Sequence, residues 1–361
     1  MPAPVPGAAT RIGVLTFHRC INYGSYWQAR CLVEGLRARG HDAALLDHES
    51  AAVNRAEWRC ALAPALPVRS SPADRAAYLA KTRKFLAAIA GLPHSPRFDL
   101  DRPAKADAYD IVIVGSDEVW NLCHPWYGGA PIFYGEGLKA ERLVSYAASF
   151  GNQDRADGLE RHWADKLDNF AHISVRDDNS HKLVHGATGR DAPIVLDPCL
   201  LFPPARPSHA GAGHSSYMAV YGHGFPGWFR QAVRRSADRR GQRIVSIGYH
   251  NDWADEQRIA AGPQEFAELM ARAAAVATNF FHGCIFALIN AKPFICAPSA
   301  YRINKVRDLT NLLGATSRLV SEDTQPSELD DLLSAPQDDA VGNRIAELRA
   351  RSQRYLDHAL C

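Results

Sequence analysis

From Arg11 onward the chain alternates short β-rich runs with stretches of helical periodicity, and that alternation leaves few architectures open. Residues 11–17 read as a strand, 26–39 as an amphipathic helix stopped by Gly40, and 43–47 as a second strand, which together make a βαβ opening. After a Pro/Arg-rich and then Ala-rich helical stretch (71–89), further apolar runs fall at 110–115, 142–147, 172–175 and 193–196. Continuous apolar runs without polar alternation suit a parallel sheet buried on both faces. Composition shifts to Pro, Ser, Gly and Ala around Phe202–Gly213, which reads as a linker, and the alternation then restarts. Strands are expected at 216–221, 243–247, 275–278 and 293–296, with helices at 264–274, 282–291 and 304–313. The expected organisation is α/β with two Rossmann-like domains, 11–203 and 214–335, facing a cleft. An acidic, turn-rich stretch (325–339) leads to a C-terminal helix (340–361) expected to pack back on the first domain.

A chain of 361 residues is too long for one ordinary core, which agrees with two lobes and places the site between them. With 47% apolar and 22% charged residues and a formal charge of +2, nothing in the overall balance calls for a nucleic acid or membrane partner. Any anion site must be local. The eight cysteines (Cys20, Cys31, Cys60, Cys123, Cys199, Cys284, Cys296 and Cys361) form no C-x-x-C pair and no zinc-spaced cluster, and read as reduced thiols. Residues 1–10 lack the basic and apolar regions of a signal peptide, and no later run reaches the roughly 20 apolar residues of a membrane span. A cytoplasmic protein with a frayed N-terminus is expected.

Ligands of open α/β sheets bind beyond the carboxyl ends of the strands, so the polar residues that follow each strand are the candidates. They are His18, Asn22 and Gly24 after the first strand, Ser116 and Asp117 after 110–115, and Ser149 with Gly151 after 142–147. Arg176, Asp197, His223, His250 and His282 follow the later runs. Each has a plain alternative. Asn22-Tyr23-Gly24 lacks the G-x-G-x-x-G fingerprint and reads equally as a tight turn with Gly24 at positive φ. Asp117 reads as a turn residue or as a functional carboxylate in a loop that also carries Glu118, Trp120 and Asn121. Arg176 pairs with Asp177 or Asp178, or captures a phosphate or carboxylate with its planar fork. His282, among aromatics at the positive end of a helix, is a core histidine or an acid/base group. Arg302, Lys305 and Arg307 form a solvated helix face or a phosphate site.

Taken in order, several segments resemble the polysaccharide pyruvyl transferase family. They are Arg11–His18 with Asn22-Tyr23-Gly24 and Gln28, then Tyr109–Asn121, Ser145–Gly151, Ile173–Asp177, Val195–Pro198, Gly262–Phe266, and Thr278–Gly283 followed by Lys292–Phe294. The resemblance implies two Rossmann-like domains in a GT-B-like arrangement. It also implies transfer of the pyruvyl group of phosphoenolpyruvate onto hydroxyls of a sugar or glycan-precursor acceptor, with phosphate released, no cofactor beyond phosphoenolpyruvate as co-substrate, and no essential metal. On that reading His282 is the acid/base and Asp117 the base or sugar binder. Arg176 clamps the donor with Arg302 or Lys305, and Asn22, Tyr23 and Gly24 floor the cleft, where backbone N–H groups bind an anion. Ser116, Trp120, Ser149, His223 and Gly283 complete the expected substrate-binding set. The chain departs from the family at Phe280, where many members carry an arginine two residues before the motif histidine.

Two competing readings use the same fold. A GT-B-like glycosyltransferase would bind the diphosphate of a nucleotide sugar with the same cations. A non-catalytic binding or partner protein would use the aromatic-rich loop 120–134 as a contact surface.

Overall fold

A computed structural model describes residues 9–205 and 217–361. In the first lobe the elements run β1 (Arg11–Leu15), α1 (Tyr23–Ala38), β2 (Asp42–Leu45), β3 (His48–Glu49), α2 (Ala51–Leu62), α3 (Pro72–Ala90), β4 (Phe98–Asp99), β5 (Ala108–Val114), β6 (Lys139–Ser145), α4 (Arg161–Lys166), α5 (Asp178–Thr188) and α6 (Pro198–Leu201). The second lobe holds β7 (Tyr217–Tyr221), α7 (Gly227–Arg239), β8 (Arg243–Ile247), β9 (Glu256–Arg258), α8 (Pro263–Arg272), β10 (Ala275–Thr278), α9 (Phe281–Ile289), β11 (Phe294–Cys296), α10 (Ile303–Leu313) and α11 (Pro326–Leu332). The long helix α12 (Asp339–Leu360) ends the described chain.

Each lobe is built on a parallel sheet. The first has order β2-β1-β5-β6 and the second β11-β10-β7-β8-β9. In both, the chain winds outward from a central strand, returns past it and winds the other way. This reversal leaves a crevice between β1 and β5 in one lobe and between β7 and β10 in the other. Central strands are buried on both faces, as at Val14 and Leu15 of β1, Ile113 and Val114 of β5 and the whole of β10. That is why these stretches read as unbroken apolar runs.

Several expectations need correction. The runs at 172–175 and 193–196 do not form ladders; they extend the first sheet by single bridges, Val144 to His172, Ala148 to Val175 and Val175 to Ile194. The turn-rich acidic stretch contains α11, started by Pro326 at a position where a missing N–H costs nothing. Gly24 is not a positive-φ turn residue: α1 begins at Tyr23, because the Asn22 side chain accepts from the Gly24 and Ser25 amides and caps the helix three residues earlier than periodicity suggested. Of the expected linker, residues 206–213 lie outside the described residues, as does the N-terminal end, 1–8.

One apolar core spans both lobes. Tyr23 of α1 stacks on Phe266 of α8 with ring centroids 4.1 Å apart and donates its hydroxyl to Ala261 O, while Trp27 donates its indole N–H to Pro263 O. Each buried ring contributes on the order of 2–3 kcal/mol, so α1 bonds the lobes firmly along one side of the cleft. Helix α3 holds them on another: Asp74, Tyr78, Lys81 and Lys84 bond His250 Nδ1, His250 N, Gly248 O and Glu265 in turn. Helix α12 returns to the first lobe, where the Ser352 hydroxyl accepts from Leu196 N and the Tyr355 hydroxyl donates to Ser145 O.

Candidate active site

The two crevices face each other across a cleft of about 380 Å³. From the first lobe it is lined by Asn22 and Ser25 at the start of α1, by Asp117 and Glu118 after β5, by Arg176, and by Glu57 and Lys81 from α2 and α3. From the second come His223 after β7, Tyr249 after β8, Phe280 and His282 at the start of α9, and Arg302 and Lys305 at the start of α10.

His282 sits in the first turn of α9 because Thr278 ties the preceding bend, accepting from Phe280 N and donating to Tyr221 O. Its Nε2 is buried and points at Asp197 Oδ2, 3.5 Å away. Its Nδ1 lies against Gly24, where a Cβ would come within 2.1 Å of it. Gly24 is therefore needed for close approach of the imidazole. Gly283 likewise leaves room for Thr278, whose hydroxyl a Cβ there would meet at 2.0 Å.

Asp197 caps the short helix α6 by accepting from Cys199 N, and shares Oδ2 between His282 and Arg176. Burial disfavours its charge, yet His282 and Arg176 hold the carboxyl well below the usual carboxylate range. Arg176 is itself buried. Its fork bonds Asp197 and Gln28 at 3.3 Å each, lies 3.8 Å from Asp117, and stacks on Phe281 at 4.7 Å. The expected donor clamp is thus already occupied by protein carboxylates, and Arg176 acts as the cation that holds Asp197 and Asp117 in place. Asp117, at φ 99, accepts from Ser25 Oγ and turns its carboxylate to the cleft wall.

Lys305 bonds Glu118; burial works against that carboxylate, but Lys305 and Arg176 hold it down at about 2. Among the described residues lining the cleft, Arg302 and Lys81 are the cations without an ion-paired carboxylate. Arg302 donates to Ser299 Oγ and stacks over Phe280 at 4.4 Å. His223 lies against Phe280 and Tyr249, and burial with Arg302 and Lys81 nearby pushes its imidazole down to about 4.

Five other expected substrate contacts turn inward. Tyr23 is core, and Trp120 is fully buried with its indole donating to Phe133 O. Ser116 donates to Ala147 O, and Ser149 to Asp177 Oδ2. The Gly24 amide is taken by Asn22, so the loop offers no free anion nest there. His18 is buried against Asp47, and His250 pairs with Asp74. Sequence reasoning passed over Glu57, Tyr78, Lys81 and Tyr249; the available signal was the Asp74, Tyr78, Lys81 spacing on one face of an otherwise Ala-rich helix.

Asp197, Cys199 and His282 place three potential metal donors within 4.8 Å. The set suits a cation poorly, because Arg176 already occupies the Asp197 oxygen and burial pushes the Cys199 thiol up, keeping it protonated.

Residues 22–299 match the family described as polysaccharide pyruvyl transferase. The chain belongs to that family. No match is found among curated protein sequences. Among solved structures, the UDP-GlcNAc 2-epimerase of Methanocaldococcus jannaschii is similar at 13% identity, covering 96% of this chain and 99% of that one, with a TM-score of 0.50. A putative UDP-N-acetylglucosamine 2-epimerase from Listeria monocytogenes aligns at 12% identity, 96% and 98% coverage and TM-score 0.48. The glycosyltransferase SnogD from Streptomyces nogalater aligns at 14%, 96% and 96%, and 0.42. The fold of this family member is GT-B-like, with two Rossmann-like domains about a cleft.

Proposed function

We propose that the cleft transfers the pyruvyl group of phosphoenolpyruvate to hydroxyls of a sugar or glycan-precursor acceptor in the cytoplasm, with no cofactor beyond the co-substrate. The observation that carries this reading is Arg302 stacked on Phe280, two residues before His282 of the His282–Asp197 pair. The family expectation is an arginine at position 280; here a guanidinium free of carboxylates lies over the phenyl ring that replaces it. Arg302 is thus the anion ligand for the phosphate or carboxylate of the donor.

Protonated His282 gives its proton to the methylene carbon of the donor, and Asp197 stabilises the charged ring. One acceptor hydroxyl bonds to the carbon bearing phosphate and loses its proton to Asp117. Phosphate then departs with that proton. A second hydroxyl closes the ketal and releases the proton that restores His282. The test is calorimetric titration of phosphoenolpyruvate, with UDP-glucose alongside, into wild type and Arg302→Ala. Saturable binding of phosphoenolpyruvate that weakens at least tenfold in the variant supports the reading. Binding of UDP-glucose alone would move the assignment to glycosyl transfer.

A further inference from the structure

Glu57 and Lys81 lie on neighbouring helices and both line the cleft, yet nothing in the chemistry above uses them. Glu57 is 8% exposed; its Oε1 accepts from Ile21 N at 2.6 Å, and its Oε2 is buried with no hydrogen-bond partner. Lys81 is 5% exposed, donates to Gly248 O and lies 4.5 Å from the Tyr249 ring. No ion pair at 4.0 Å or less joins the two among the described residues. A buried carboxylate oxygen without a partner costs about 1–3 kcal/mol, which a ligand hydroxyl would recover.

We propose that Glu57, Lys81 and Tyr249 form the acceptor subsite, which takes a pyranoside ring, and that Glu57 Oε2 receives the proton of the second hydroxyl as it closes the ketal. The step balances: an oxygen–carbon bond forms at the former phosphate-bearing carbon, one O–H bond breaks, and its proton resides on Glu57 until it is relayed to His282, restoring that ring for the next turnover. This rests on the pyruvyl transfer reading and adds the acceptor's place and class. Two features support it. Burial pushes the Glu57 carboxyl up to about 7, a value at which a carboxylate both takes and returns a proton near neutrality. Burial likewise pushes Lys81 down to about 7, so its charge depends on neighbouring anions. The Tyr249 ring offers an apolar wall with a polar rim, and a carboxylate accepts from paired hydroxyls.

Saturation-transfer NMR with methyl β-D-glucopyranoside, methyl β-D-galactopyranoside and methyl α-D-mannopyranoside tests it on the full chain, with calorimetry of phosphoenolpyruvate in parallel. Wild type is expected to give ring-proton signals with at least one glycoside. Glu57→Gln, an isosteric change, and Lys81→Met are each expected to reduce them at least fivefold while phosphoenolpyruvate affinity stays within twofold. Signals that persist in both variants overturn the proposal, as does silence of all three glycosides with wild type. Loss of phosphoenolpyruvate binding in Glu57→Gln would assign the pair to the donor instead. Failure of wild type to bind phosphoenolpyruvate, with glycoside signals intact and Glu57-dependent, would overturn the donor reading while leaving the subsite.

Discussion

A single carboxylate oxygen, Asp197 Oδ2, faces both His282 Nε2 at 3.5 Å and Arg176 Nη1 at 3.3 Å. The imidazole is therefore oriented from behind by a group that is itself fixed, with its other nitrogen, Nδ1, packed against Gly24.

That arrangement separates two effects on turnover. His282→Gln is expected to lower kcat at least a hundredfold with phosphoenolpyruvate affinity unchanged within threefold, since an acid/base group contributes about 10²–10⁴-fold. Asp197→Asn keeps the shape and removes the charge behind the ring, so kcat falls as well and its pH profile shifts. Steady-state phosphate release across pH 5–9 checks both.

Arg176 is predicted to matter first for stability. Arg176→Met leaves the buried Asp197, and Asp117 at the cleft wall, without their cation, and breaking a buried pair costs roughly 3–5 kcal/mol. The sign with pH follows from the depressed Asp197 carboxyl. Its stabilising contribution is complete above the ordinary carboxylate pKa of about 4 and is lost progressively as pH falls from there toward the much lower folded value, so the variant and wild type converge only in strong acid. Thermal melts at pH 7 and at pH 2 measure the difference.

Gly24→Ala is expected to lower activity at least tenfold while the protein stays folded. Gly24 is the second residue of α1, where alanine is compatible with the helical backbone, but its methyl group meets the His282 ring. Circular dichroism close to that of wild type with turnover reduced at least tenfold is the expected pair of results.

For Glu57 the sign is reversed. Its carboxyl is raised to about 7, so the stability it contributes is complete below its ordinary value near 4.3 and declines as pH rises through 7. Glu57→Gln should therefore raise the melting temperature at pH 8 and change it little at pH 4, a gain worth roughly 3–4 kcal/mol. A larger gain at pH 4 than at pH 8 would falsify the assignment of this carboxyl as desolvated.

Much of this was legible in the order of residues. The strand cores and the helix that begins beside His282 followed from apolar runs and turn residues, because a parallel sheet buried on both faces leaves little ambiguity. Residues after the strands reached the cleft where two sheets reverse direction, as Asp117, His223 and His282 do. What spacing did not convey was partnership. Whether Arg176 meets a ligand or Asp197 depends on a residue 21 positions away, and Ser149 satisfies Asp177 rather than solvent. Glu57 and Lys81 sit on helices that connect distant strands, and their approach to Tyr249 is created only when the lobes meet. Phe280 looked like a lost cation until Arg302, 22 residues on, proved to lie over its ring.

The return of α12 has a consequence for how the molecule is made. Leu196 and Ser145, which belong to the half synthesised first, take their bonding partners from Ser352 and Tyr355. Until residues 339–360 have left the ribosome, that half exposes an apolar flank and the outer edge of its sheet. Folding therefore cannot be completed strictly lobe by lobe, because the first lobe gains the partners of Leu196 and Ser145 only when α12 docks.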